Sequence, residues 1–339
     1  MKSVNNISAH RFFKNLFFIL ALSIFCLSFS QNQPESEARK SLFLPEIATI
    51  SENIVYKTGV NGDDIALDIY VPKNITIDKL PVLIYVHGGG WVKGDKTVRT
   101  ESYLEPVIEK LIARQYAIIS IDYTLLNDST HFPLPLEDTK DAVRWVRKNA
   151  EKYQFDVENI GLFGASAGAH LSLLAAYTPD HAFTGSPELS SYSAKVNYVV
   201  DHYGPADLNK LFHTRAGTVP VFMIGLISKK IINLQQNLVK GLSGYDIQKD
   251  QEKVISYFKT LSPCNYVSSG VPTLIMQGNK DKVVPLSQSK KLYRKLKRAG
   301  VQSSLIIIEN GQHGFSTTEK ASLNKMVGQM VDFVLAQKK

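Results

Sequence analysis

The sequence predicts an α/β fold with a mostly parallel central sheet and helices on both faces. Short, continuously apolar runs such as residues 81–87 (PVLIYVH) and 116–122 (YAIISID) are typical of parallel strands buried on both faces. Stretches with helical spacing of apolar residues, such as residues 101–114, separate these runs. Repeated strand–helix alternation of this kind favours a sheet covered by helices on both sides.

The elements follow one another in a regular order along the chain. Alternating polar and apolar residues predict a first pair of strands, connected by the Asn-Gly-Asp turn at 61–63. In helix 136–150, we expect Ala142, Val143 and Val146 to face the core and the charged side chains to lie elsewhere. The predicted strands are residues 53–57, 64–71, 81–87, 116–122, 159–163, 196–203, 271–277 and 303–309. The predicted helices are residues 101–114, 136–150, 165 to about 177, 286–299 and 319–337.

One interval breaks this order, because residues 207–265 contain no predicted strand. Residues 221–240 and 251–261 have helical patterns instead. An insertion of about 58 residues is too small to bury a substantial core of its own. We therefore expect a helical cap insertion at about residues 207–262 within a single domain that spans residues 31–339.

The first thirty residues have the order of a secretory signal peptide. Three basic residues precede the uncharged run 16–30 (LFFILALSIFCLSFS), which ends in a small-x-small pattern. The run is shorter than the roughly 20 apolar residues that a spanning helix needs. We expect residues 1–30 to be removed and the protein to be secreted or periplasmic, with only transient membrane contact through the signal peptide. An uncleaved anchor is the alternative.

Composition and charge narrow the class of protein further. The hydrophobic fraction of 44% and the charged fraction of 21% are near globular averages, which excludes wholesale disorder. The net charge is +8, but three of these charges lie in the first thirty residues, and the remaining +5 is a weak argument for a nucleic-acid partner. Cys264 is the only cysteine after residue 30, so the mature chain has no intramolecular disulfide.

Residues 164–168 (GASAG) match the G-x-S-x-G pattern of a serine nucleophile. The pattern describes a tight turn from a strand into a helix, which exposes the serine hydroxyl above a sheet. Here the motif follows the predicted strand 159–163 and opens a helix of small residues. The sequence therefore predicts Ser166 as a nucleophile.

Three consecutive glycines follow the predicted strand 81–87, in the motif HGGGW at 87–91. Glycines leave their backbone N–H groups accessible, and such donors stabilise an oxyanion that develops during acyl transfer. His87 belongs to this motif, and we expect it to brace the loop rather than act as a base.

An acid and a base follow the serine in chain order. Asp281 comes after the predicted strand 271–277, and His313 comes after the predicted strand 303–309. Open α/β sheets place their sites at the carboxyl ends of strands, so these side chains and Ser166 are expected to meet there. A serine nucleophile needs an imidazole to take its proton and a carboxylate to orient that imidazole.

On these motifs the sequence resembles the α/β-hydrolase superfamily of serine esterases and lipases, near its hormone-sensitive-lipase-like and secreted carbohydrate-esterase-like (acetyl or feruloyl esterase) branches. The residues that carry the resemblance are HGGGWVKGDK (87–96), IDY (121–123), FPLPLEDTKDAVRWVRKNA (132–150), GLFGASAGAHL (161–171), YGPADL (203–208), GNKDKVVP (278–285) and GQHGF (311–315). They extend from about residue 54 to the C-terminus. The resemblance implies an α/β-hydrolase fold, with Ser166 as nucleophile, Asp281 as acid and His313 as base.

The resemblance also implies an oxyanion hole formed by the N–H groups of Gly89, Gly90 and Ala167. The chain departs from the pattern at residues 124–127, where Thr-Leu-Leu-Asn replaces the Arg-Leu-Ala-Pro of many relatives. This replacement removes an arginine expected to brace the site, and it leaves the branch of the superfamily open.

The sequence thus predicts a secreted serine esterase that acts on a short acyl or aryl ester, on a small molecule or an oligosaccharide. Trp91 and His202 are candidates for lining the substrate pocket. The sequence contains no HxH, HExxH or CxxC pattern, in which two ligands have the spacing of a metal site. We therefore expect neither a metal nor a cofactor. A lipase-like or formamidase-type hydrolase is the alternative within the class, and a non-catalytic binding module is the alternative outside it. The sequence indicates no oligomeric state.

Overall fold

The computed structural model describes residues 40–100, 102–215 and 229–339. The predicted signal peptide, residues 1–30, and the first part of the predicted cap helix, residues 221–228, lie outside these ranges. Within them, no helix combines the length and the apolar character needed to cross a membrane.

The described chain is organised around one eight-stranded sheet with the order β1-β2-β4-β3-β5-β6-β7-β8. The strands are β1 (Ala48–Thr58), β2 (Asp64–Pro72), β3 (Leu80–Val86), β4 (Ala117–Ile121), β5 (Phe155–Ala165), β6 (Tyr198–His202), β7 (Thr273–Gly278) and β8 (Ser303–Ile308). Strands β3 to β8 pair in parallel, whereas β1 pairs with β2, and β2 with β4, in antiparallel fashion. The predicted mostly parallel sheet is confirmed.

Helices cover both faces of this sheet. They are α1 (Leu44–Ile47), α2 (Leu104–Ile112), α3 (Leu134–Lys148), α4 (Ala150–Tyr153), α5 (Ala167–Tyr177), α6 (Leu208–Leu211), α7 (Lys229–Ser243), α8 (Gln251–Thr260), α9 (Leu286–Arg298) and α10 (Lys320–Ala336). Helices α2 and α10 pack on one face, and α3, α5 and α9 on the other. Strand β4 is apolar at nearly every position because both of its faces are buried: Ile118 packs on the first face, and Ile119 packs on the second.

The described part of the interval between β6 and β7 shares the core of the sheet. Helices α6, α7 and α8 lie here, and buried residues such as Val239 and Phe258 belong to the same apolar cluster as α3 and α5. Hydrogen bonds join the interval to the loop before α3: the Tyr257 hydroxyl donates to the Phe132 carbonyl at 2.6 Å, and the Phe132 N–H donates to the Leu242 carbonyl at 3.2 Å.

Helix α3 differs from the sequence-based expectation in one respect. Its apolar residues face the core, but four of its charged residues, Asp138, Lys140, Asp141 and Arg144, are also buried. The segment that follows α5 covers the other side of the helix. The Lys140 ammonium donates to the Pro179 carbonyl at 2.6 Å, and the Arg144 guanidinium donates to another carbonyl of this segment. The charges do lie elsewhere than the apolar residues, but a second layer of the chain covers them, and the helical period does not predict that burial.

Candidate active site

Ser166 lies at the sharp turn between β5, which ends at Ala165, and α5, which begins at Ala167. Its backbone has φ 55° and ψ −117°, a conformation that costs a non-glycine residue on the order of 1–3 kcal/mol. Gly168 allows this turn, because a Cβ at that position would come within 2.0 Å of the Val86 carbonyl oxygen. The turn is therefore held tightly against the end of β3.

The structure brings Ser166, His313 and Asp281 together in one hydrogen-bonded line. The Ser166 Oγ lies 2.9 Å from Nε2 of His313, and Nδ1 of His313 lies 2.8 Å from Oδ2 of Asp281. The Asp281 side chain is fully buried, whereas 15% of the His313 side chain is exposed. With its proton on Nδ1, facing the carboxylate, the imidazole can accept the proton of the serine hydroxyl on Nε2.

Backbone and side-chain donors fix the Asp281 carboxylate. Its Oδ1 accepts the N–H groups of Val283 at 2.8 Å and Val284 at 2.9 Å. Its Oδ2 accepts an N–H of the Gln277 amide at 2.9 Å, in addition to the imidazole. Sequence reasoning missed Gln277. The only available signal was a polar residue near the end of an otherwise apolar strand.

The glycine loop after β3 runs directly beside the nucleophile. A Cβ at Gly88 would lie 3.5 Å from the Ser166 Cβ, and Gly89 and Gly90 follow with φ of 121° and 64°. Ala167 is the first residue of α5, where backbone N–H groups have no partner within the helix. The predicted oxyanion donors are thus on chain segments that adjoin Ser166.

His87 braces this loop, as its place in the motif predicts. Its ring stacks on Tyr123 with the centroids 4.3 Å apart, and the Tyr123 hydroxyl donates to the His87 carbonyl at 3.1 Å. Gly94, with φ 105°, lies against the other side of the loop, and a Cβ there would come within 2.5 Å of His87 Nδ1. A side chain at Gly94 would displace the loop.

Lys96 connects the far end of the glycine loop to the sheet. The Lys96 N–H donates to the Asp122 carboxylate at 2.7 Å. The Lys96 ammonium lies 3.3 Å from an Asp68 carboxylate oxygen and donates to the Asn53 side chain at 2.8 Å. These contacts join the loop to β1, β2 and the end of β4.

The two candidates for the pocket lining are both buried. The indole of Trp91 is 5% exposed and packs edge-on against Phe132 and His170, at centroid distances of 6.1 Å and 5.2 Å. His202 has no exposed surface and packs against Phe163 at 4.7 Å. The structure therefore places His202, the last residue of β6, in a buried aromatic cluster with Tyr103 and Phe315 rather than on an open pocket wall.

Burial keeps three histidines around the site neutral. Desolvation lowers the pKa of His87 and His170 to about 4 and that of His202 to about 3. His170 also holds a fixed position, because its Nε2 lies 2.7 Å from the Leu261 carbonyl oxygen and so donates to it. These three rings are packing and hydrogen-bonding groups at neutral pH.

Protonation of these histidines is expected to lower the free energy of unfolding as the pH decreases from about 6.5 to 4, partly offset by Asp201, whose pKa burial raises to about 7. The pKa of each of these histidines is lower in the folded protein than the value of about 6.5 in the unfolded chain, so the unfolded state binds more protons. Their contribution is complete above pH 6.5, and each loses on the order of 3 kcal/mol by pH 4. Urea unfolding at a series of pH values measures this slope.

Two variants identify the source of the slope. His202→Phe cannot take up a proton at this position and should show a shallower loss with acid. His181→Asn changes an exposed histidine and should keep the wild-type slope. Equal slopes in wild type, His202→Phe and His181→Asn would contradict the explanation.

In the described part of the chain, no group of three His, Cys, Asp or Glu side chains is arranged to hold a metal ion. Cys264, the one cysteine among the described residues, is buried, and desolvation raises the pKa of its thiol.

Comparison with known proteins gives the class and the family. Esterase LipQ of Mycobacterium tuberculosis is 28% identical to this chain over 313 residues, which cover 89% of this chain and 68% of LipQ. Esterase LipC of the same organism is 26% identical over 264 residues, which cover 77% of this chain and 60% of LipC. A solved structure described as a truncated form of a carbohydrate esterase from gut microbiota is 25% identical, with a TM-score of 0.64, and the match covers 85% of this chain and 97% of that one.

The protein is a carboxylic ester hydrolase of the α/β-hydrolase type, as its sequence motifs predict. A family model described as BD-FAE matches residues 67–296, more than half of the chain. The chain belongs to the BD-FAE family.

Proposed function

We propose that this protein is an exported serine esterase that cleaves a carboxylic ester through Ser166, His313 and Asp281. The observation that supports this most directly is the line of contacts from Ser166 Oγ to His313 Nε2 (2.9 Å) and from His313 Nδ1 to Asp281 Oδ2 (2.8 Å). A serine hydroxyl is a weak nucleophile until a base removes its proton, and these distances allow that transfer.

The reaction follows from this geometry. Ser166 Oγ attacks the ester carbonyl carbon while its proton passes to His313 Nε2. The N–H groups of Gly89, Gly90 and Ala167 stabilise the negative charge on the carbonyl oxygen of the tetrahedral intermediate. His313 then gives the proton to the leaving alcohol, and an acyl group remains on Ser166. Water, deprotonated by His313, cleaves this acyl-enzyme, and the proton returns to Ser166 Oγ.

The substrate proposed is a short acyl or aryl ester carried by a carbohydrate. The likeness to a carbohydrate esterase, at 25% identity and a TM-score of 0.64 over 85% of the chain, supports this choice over a long-chain lipid ester. The export that residues 1–30 predict also supports a carbohydrate ester, because polymeric carbohydrate occurs outside the cytoplasm.

A panel of esters tests the substrate class. We expect kcat/KM to be highest for acetylated or feruloylated oligosaccharides, lower for simple aryl acetates and lowest for long-acyl esters. Ser166→Ala protein is the matched control for background hydrolysis. A preference for long-acyl esters would overturn the carbohydrate assignment and support a lipase-like enzyme. Hydrolysis of formamides alone would support the formamidase-type alternative.

Export is proposed from the basic, apolar and small-residue order of residues 1–30. N-terminal sequencing of the protein recovered from the periplasm or the medium checks it, with the mature chain expected to begin near Gln31. Recovery of a membrane-bound chain that still carries residues 1–30 would show the uncleaved anchor instead.

A further inference from the structure

Gln277 is a buried glutamine that contacts the acid of the proposed triad. It lies in β7, next to the last residue of the strand, and has no exposed surface. Its amide nitrogen donates to Asp281 Oδ2 at 2.9 Å and to the Val284 carbonyl at 3.1 Å. The Gln277 amide nitrogen thus binds two residues of the turn that contains Asp281.

A hydroxyl on a neighbouring helix fixes the orientation of this amide. The Ser289 Oγ, on α9, donates to Gln277 Oε1 at 2.8 Å. If the amide were reversed, its oxygen would face two other acceptors, the Asp281 carboxylate and the Val284 carbonyl. The contacts therefore hold the N–H groups toward Asp281, and Ser289 connects α9 to the site through Gln277.

The carboxylate of Asp281 receives four donors in this arrangement. Two backbone N–H groups bind Oδ1, whereas Gln277 and His313 share Oδ2. Two donors on one oxygen fix where that oxygen lies. The imidazole that points toward Ser166 therefore binds the same carboxylate oxygen that Gln277 holds.

We infer that Gln277 is a positioning residue for the esterase reaction, acting through Asp281 on the orientation of His313. This inference rests on the proposed function. It predicts that loss of the Gln277 N–H groups lowers the rate of acyl transfer and leaves substrate binding unchanged, since Gln277 has no exposed surface with which to contact a substrate.

Gln277→Met tests this directly, because methionine has a similar length and no hydrogen-bond donor. We expect kcat for an aryl acetate to fall about 10- to 100-fold with KM unchanged, as for loss of a hydrogen bond to a charged group. The rate at which a fluorophosphonate labels Ser166 should fall by the same factor. This second readout does not depend on the identity of the substrate.

Gln277→Glu adds a signature that a packing role would not produce. A protonated glutamic acid can donate to Asp281, whereas an ionised one places two carboxylates against each other. The kcat of Gln277→Glu relative to wild type should therefore decrease as the pH rises from 6 to 9. The same ratio for Gln277→Met should not change with pH.

Gln288→Met is the matched control. Gln288 is also buried, and its amide oxygen accepts the N–H groups of Ala206 at 3.1 Å and Asp207 at 2.8 Å, but none of its hydrogen bonds involves the triad. It should lower stability while kcat and the labelling rate stay at wild-type values. Wild-type kcat and labelling rate in folded Gln277→Met, or an equal loss in Gln288→Met, would overturn the inference alone. A wild-type protein that neither hydrolyses esters nor labels at Ser166 would overturn the proposed function with it.

Discussion

Replacing Ser166 with alanine is expected to reduce kcat for ester hydrolysis by about 10⁴- to 10⁶-fold. Alanine keeps the Cβ and removes only the Oγ that lies 2.9 Å from His313 Nε2, so the covalent route through an acyl-enzyme is lost. The donors of the glycine loop and of Ala167 remain, and they account for the residual rate over the uncatalysed reaction. Steady-state kinetics with an activated aryl ester measure the effect.

Two further measurements separate loss of the nucleophile from loss of the fold. The Ser166→Ala protein should give the wild-type circular dichroism spectrum and should not react with a fluorophosphonate. Asp281→Asn should keep the serine but lower kcat by about 10⁴-fold, because an amide no longer holds the imidazole in the required tautomer. If purified Ser166→Ala hydrolysed esters at the wild-type rate, the proposed nucleophile would be wrong.

The sheet was predictable because its strands have the simplest signal that a buried parallel sheet produces. Strands β3 and β4 are apolar at nearly every position, since both of their faces pack against helices.

The start of β1 was not predictable. The strand begins at Ala48 rather than at residue 53, and a register shift between Ser51 and Ile54 interrupts the pairing with β2. Asn53, with φ 56°, lies in this irregularity, which breaks the alternation used to detect strands.

The proposed triad could be found from the sequence because each of its members lies just after a strand, within a recognisable local motif. Gln277 and the lysine contacts of Lys96 could not be found in this way. The contacts of Lys96 depend on partners far away in the chain, Asn53 on β1 and Asp68 on β2. The partners of Gln277 are near it in the chain, but they reach its amide only because the turn at Asp281 and helix α9 fold back over the end of β7. Burial of a polar side chain depends on what packs over it, and the period of one helix or strand carries no information about that covering layer.

The buried charges of α3 show this limit, and one of them leads to a large expected loss of stability on a single substitution. Asp141 Oδ1 accepts a hydrogen bond from Arg144 at 2.8 Å, and its Oδ2 accepts one from Lys57 at 2.9 Å and another from the Ser186 N–H at 2.7 Å. The Asp141 side chain has no exposed surface, and those of Lys57 and Arg144 are 7% and 2% exposed. One carboxylate thus joins α3, β1 and the segment that covers the helix.

Asp141→Ala is expected to lower the free energy of unfolding by about 3–5 kcal/mol. Lys57 keeps Asp138 at 2.7 Å and Arg144 keeps its bond to the Asp180 carbonyl, but the buried guanidinium loses the carboxylate that it contacts directly. Urea unfolding at pH 7 measures the change. The kcat of the folded protein should be unchanged, because none of the hydrogen bonds of Asp141 involves the triad.

Glu52→Ala supplies the contrast, since Glu52 pairs with Lys40 at 2.9 Å on the surface, where their side chains are 39% and 60% exposed. An exposed pair contributes roughly 0–1 kcal/mol, because water solvates both charges almost as well when they are apart. A loss in Asp141→Ala no larger than that in Glu52→Ala would contradict the role given to the buried network. A large loss confined to Asp141→Ala would show that the buried charges of α3 hold the covering segment onto the helix. The helical period of α3 does not predict this role.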